Sequence, residues 1–88
     1  MENQRRDELL KRRQELLDKQ AAADGPESRR QDAEDRVLMA GKAMRTPGFP
    51  KPLPAEIEAA ERELQEAIEE CDRVHAELRD IDVELGIL

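Results

Sequence analysis

The chain has no tryptophan, no tyrosine and a single phenylalanine, Phe49. It therefore lacks both the side chains that dominate most small cores and the flat surfaces on which nucleic-acid bases stack. Leu, Ile, Val and Phe together number 18 of 88 residues, near the ~20% level below which highly charged chains are usually disordered, so a large core is excluded. Long apolar runs are missing too. The longest are Leu9-Leu10, Ala21 to Ala23 and Val37 to Ala40, far short of the ~20 residues that span a bilayer or the ~7 to 15 of a signal-peptide core. One cysteine, Cys71, cannot form an internal disulfide, which fits a reducing compartment and a cytoplasmic location. Ser28, Thr46 and His75 are each the sole residue of their type, so a nucleophile-and-base triad has nothing to be built from. The four glycines, Gly25, Gly41, Gly48 and Gly86, are scattered and form no phosphate-binding loop. No catalytic residue, no resident cofactor and no enzymatic activity are expected.

Charge is what the chain has in abundance. Asp and Glu number 22 against 15 Lys and Arg, for a net −7, a balance that opposes general binding to nucleic acid or to anionic membrane. Its distribution is more informative than its total. Residues 1–51 carry 12 basic and 10 acidic side chains, net +2, whereas residues 52–88 carry 3 and 12, net −9. A mildly basic first half can thus lie against an acidic second half, within one chain or across two.

The boundary between the halves is a connector over 46–53, in a stretch with prolines at 47, 50, 52 and 54. These prolines forbid helix and favour an extended, stiff polyproline geometry. Pro47-Gly48-Phe49-Pro50 has the PxxP form, but neither Arg45 nor Lys51 sits at the basic offset that SH3-type ligands use, so it reads as a linker. Asp24-Gly25-Pro26 is a weaker break, either a turn with Pro26 opening a new helix or a kink in one longer helix. The expectation is a single small all-α domain over 1–88, a helical hairpin or three-helix arrangement with helices near 3–23, 26–45 and 54–85.

Each helix has a distinct pattern. In the first, Arg5-Arg6-Asp7-Glu8-Leu9-Leu10-Lys11 is echoed seven residues later by Arg12-Arg13-Gln14-Glu15-Leu16-Leu17-Asp18, the repeat length of a coiled-coil seam. The seam is thin, with Arg6 or Arg13 falling at the next core position; such arginines lay their stems on the seam and reach for carboxylates. The second helix places Ala33, Val37, Ala40 and Met44 on one stripe, with Leu38 beside it, and Gly41 reads as a close helix crossing. In the third, Ile57, Ala60, Leu64, Ala67, Cys71, Val74, Leu78, Ile81, Leu85 and Leu88 alternate at spacings of three and four without a charged residue. That long coiled-coil seam is the strongest signal in the chain.

The second helix is too short to cover the third, and the exposed end is the more hydrophobic one, so the first helix must turn back over it or a second chain must supply the cover. A lone hairpin burying about ten seam residues at ~1 to 2 kcal/mol each is marginal against its ordering entropy. A homodimer joined through the 57–88 seam is expected.

Cys71 and His75 lie four apart and, from two chains, form a conceivable four-ligand zinc site, but cysteine in a seam is more simply a small buried hydrophobe and no metal is expected. Asp72 and the neighbouring glutamates lie off the seam, which argues against an inward-facing dimetal site. The candidate partner-binding residues are Arg5, Arg6, Arg12 and Arg13 on the basic side and Glu63, Glu66, Glu69 and Glu70 on the acidic side. The expected function is a non-enzymatic assembly or adaptor protein that self-associates and selects another protein by charge complementarity. The alternative is a small acidic inhibitor that imitates a phosphate backbone and blocks a basic cleft, by analogy with products of phages and mobile elements.

Overall fold

A computed structural model describes residues 2–87. It contains three helices, α1 (Glu2–Ala21), α2 (Pro26–Arg45) and α3 (Pro54–Leu85), in that order, and no strand among the described residues. α3 is 32 residues long, about 48 Å at 1.5 Å per residue. α1 and α2 follow one another along it in the opposite direction, so the molecule is a helical hairpin whose first arm is broken in the middle. Its extents are 66 × 19 × 18 Å, those of a rod two helices thick.

The cover over the hydrophobic end of α3 comes from α1, which precedes α2 in line and does not fold back over it. Leu9 and Leu16, the repeated leucines, are buried against Val74 and Ile81, with Leu78 and Leu85 packed at the edge. Leu10 stays exposed and Leu17 is half-buried, so the repeat contributes one leucine per heptad to the core. Arg13 is half-buried on the seam and donates from Nε to the Asp82 carboxylate at 2.8 Å. Arg6 is exposed.

Farther along, α2 lays Ala33, buried, and Val37 and Ala40, half-buried, toward the half of α3 that carries Ile57, Ala60, Leu64 and Ala67. Small residues on both helices let the backbones approach there, while the α1 half is filled by larger side chains. Gly41 does not mark a close crossing. A Cβ built on it meets nothing nearer than Arg45 Nη2 at 3.9 Å, because Gly41 opens onto a groove.

The break at Asp24-Gly25-Pro26 is a turn. The Gly25 N–H donates to Ala22 O at 2.9 Å, α2 then begins with Pro26, and the Arg29 N–H returns to Gly25 O at 3.0 Å. Pro26 is fully buried, and its missing N–H costs nothing at a helix start. Gly25 is fixed by proximity, since a Cβ there would lie 2.1 Å from Lys19 O. The turn therefore keeps the end of α1 and the start of α2 side by side.

The connector is less extended than its prolines suggest. Thr46-Pro47-Gly48-Phe49 closes with a Phe49 N–H to Thr46 O bond of 3.4 Å and Gly48 at φ +85°, the Pro-Gly centre of a type II turn. Thr46 Oγ1 donates to Lys42 O and Lys51 Nζ to Met44 O, satisfying the end of α2. α3 starts with Glu56 accepting the Leu53 N–H at 3.3 Å. It ends in a Schellman motif, with Ile87 N–H on Asp82 O and Gly86 N–H on Val83 O. No helix among the described residues is long and apolar enough to cross a membrane.

Candidate interaction surfaces

Beside the apolar seam of α3 runs a row of glutamates at every seventh position, Glu63, Glu70, Glu77 and Glu84. Each meets a cation of the opposite arm. Arg5 reaches Glu84 at 2.9 Å, Arg12 reaches Glu77 at 2.9 Å, and Lys19 and Arg29 share Glu70 at 3.5 and 2.8 Å. Arg36 pairs with Glu63. Arg5, Arg12 and Lys19 are themselves seven apart, as are Arg29 and Arg36, so both arms carry the same period. Lys19 and Arg29 are ten residues apart yet end on one carboxylate, which is how the turn at 22–25 resets the phase between α1 and α2. Donating to the Glu77 carboxylate holds the Arg12 guanidinium even more firmly protonated than usual; donating to Glu34 does the same for Arg30.

The partner-binding candidates are thereby divided. Arg5, Arg12, Arg13, Glu63 and Glu70 are engaged inside the chain, and Glu69 accepts a hydrogen bond from Gln65 at 3.2 Å. Arg6 and Glu66 are exposed and have no ion-pair partner among the described residues. Glu63, Glu66, Glu69 and Glu70 border one open groove of about 490 Å³, but Arg29, Arg36 and Arg73 border it as well. With Asp32 a fifth carboxylate on its border, the groove is net acidic but partly neutralised by those three arginines.

The seam residues are likewise spent within one chain over most of their length. Ala67, Cys71, Val74 and Ile81 are buried, and Ile57, Ala60, Leu64, Leu78 and Leu85 are half-buried; Leu88 lies outside the described residues. α1 and α2 occupy the face that two copies were expected to share, so pairing along the whole 57–88 seam requires those helices to leave it. The Cys71 thiol is 1% exposed, and burial pushes it above the ordinary thiol range, with Glu27 adding to the shift and Arg30 opposing it. His75 Nε2 lies 3.2 Å from Glu27 Oε1. Among the described residues no three His, Cys, Asp or Glu side chains are grouped as metal ligands.

Among the described residues, Leu38, Met39, Met44, Phe49 and Leu53 leave apolar surface uncovered toward the connector end, and Leu10, Val83 and Ile87 leave less of it toward the other end. Leu38, Phe49 and Leu53 are 64%, 61% and 63% exposed, and Met44 is nearly half exposed. Next to them, Val37, Ala40, Gly41 and Met44 of α2 and Ile57, Ala60 and Glu61 of α3 line a groove of about 190 Å³. The signal for it was present as the Leu38 beside the α2 stripe and the Gly41 within it. The row of glutamates was equally visible as a seven-residue spacing. Compared with family models, with curated proteins and with solved structures, the chain matches none of them.

Proposed function

We propose that the protein is a non-enzymatic assembly or adaptor protein, a stiff helical rod that associates with itself and presents surface to another protein. The observation that carries this is the partition of its apolar residues. They close the rod where α1 meets α3, yet Leu38, Met44, Phe49 and Leu53 remain exposed at the connector end. Large apolar side chains left exposed at one end of an otherwise highly charged surface are what an interface draws on. A buried single thiol suits a reducing compartment such as the cytoplasm.

The inhibitor that imitates a phosphate backbone has less support. Such a device needs unneutralised carboxylates in a row, and Glu63 and Glu70 already face arginines of their own chain. Light scattering on the full chain after size exclusion, across about 5 to 500 μM, tests the proposal: the mass rises to that of a defined oligomer. A constant monomer mass over that range overturns self-association.

A further inference from the structure

We propose that the groove at the connector end is an isologous interface, occupied by the same groove of a second copy. This rests on the self-association proposed above and names its surface. The groove has one wall from α2 and one from α3, and each wall carries a charge of opposite sign at its rim. Arg45 of α2 extends to within 3.9 Å of where a Gly41 Cβ would stand, and Glu61 lines the α3 side. Among the described residues neither has an ion-pair partner, although most charged groups along the rest of the hairpin interface do. A two-fold axis through the groove brings Arg45 of each copy toward Glu61 of the other. A self-complementary patch of this kind is what a closed symmetric dimer requires.

The apolar content is of matching size. Leu38, three residues before Gly41, Phe49 and Leu53 are exposed at the same end of the rod, and Met44, which lines the groove, is nearly half exposed. Their exposed area is on the order of 450 Å², somewhat more than half of the roughly 800 Å² each partner gives to a standard interface, the remainder being polar rim. Gly41 keeps the groove open for a side chain of the other copy.

Analytical ultracentrifugation of the full-length protein, with circular dichroism alongside, tests this. Leu38→Glu changes an exposed side chain and leaves helicity intact while raising the dimer dissociation constant at least about tenfold. Arg45→Glu and Glu61→Arg each weaken the dimer in the same way, and the double variant, which restores opposite charges across the axis, recovers wild-type association. If the wild type dimerises and these variants leave association unchanged, or the double variant does not recover it, the interface lies elsewhere and only the self-association proposal stands. A wild type that stays monomeric overturns both, and leaves the groove to a different partner.

Discussion

At the scale of single residues, glycine separates into positions that are filled by neighbours and positions that face space. At Gly25 a side chain has nowhere to go, because the nearest atom is the backbone oxygen of Lys19 at 2.1 Å and backbone cannot swing aside. Gly25→Ala therefore forces the α1–α2 turn apart and is expected to cost about 1 to 3 kcal/mol in urea unfolding, the range for overpacking a tight site. Gly41→Ala is its control. With open space and helical backbone it gains about 0.5 to 1 kcal/mol, while narrowing the groove. A destabilised Gly41→Ala, or a neutral Gly25→Ala, contradicts the positions of these residues. The buried Cys71 thiol belongs to the same scale: it fills a seam position, and its lone counterpart His75 turns to Glu27 instead of joining it.

At the scale of the helices, the glutamates at 63, 70, 77 and 84 define which faces of the two arms meet. A thin core can tolerate sliding of one helix along another by a heptad, since apolar residues then meet apolar residues again. Exposed ion pairs contribute little individually, and because cations and glutamates share the seven-residue period a one-heptad slide would bring Arg5, Arg12, Lys19, Arg29 and Arg36 opposite Glu77, Glu70, Glu63, Glu63 and Glu56. The pairs therefore set which faces of the two arms meet, and the short connector at 46–53 sets their alignment along the axis. Glu70 carries the phase reset between α1 and α2 because two cations share it. Glu70→Gln is expected to lower the melting temperature by ~3 to 6 °C at low ionic strength, with the difference from wild type closing near 1 M NaCl as the pairs are screened. Glu66→Gln, which removes no ion pair among the described residues, leaves the melting temperature unchanged at both salt concentrations. An equal effect of the two substitutions, or one insensitive to salt, removes the special role of Glu70.

At the scale of the whole molecule the protein is a rod. Its radius of gyration is 18.6 Å, against about 12 Å for a compact domain of this length, and a thin rod has little interior to bury. Stability accordingly comes from a line of contacts, and the place where that line is least closed is its connector end. Solution X-ray scattering distinguishes the ways two rods can join. Pairing through the connector-end groove extends the maximum dimension of the dimer well beyond the 66 Å of one chain. Pairing side by side along α3 leaves it close to that length and thickens the cross-section.

By itself the sequence determined the helices and their apolar faces. Backbone hydrogen bonds within helices are local, the prolines at 47, 50 and 52 interrupt α-helix while Pro54 is admitted as the first residue of α3, and spacings of three and four from Ile57 to Leu85 have one meaning on a 3.6-residue turn. The basic and acidic halves were also legible, and so was their mutual attraction. What covers the α3 seam was not. An apolar stripe is equally well buried by a second copy or by the chain's own first arm, and period alone does not distinguish them. The tertiary structure decided it through one turn, where Gly25 and Pro26 redirect the chain so that α1 and α2 lie in succession along α3 and Leu9 and Leu16 reach Val74 and Ile81. With the seam closed from within, Arg5, Arg12, Arg13, Glu63 and Glu70 became internal pairs, and much of the uncovered apolar surface came to lie at the connector end on Leu38, Met44, Phe49 and Leu53, because α2 meets α3 through Ala33, Val37 and Ala40 and leaves its larger side chains outside that contact.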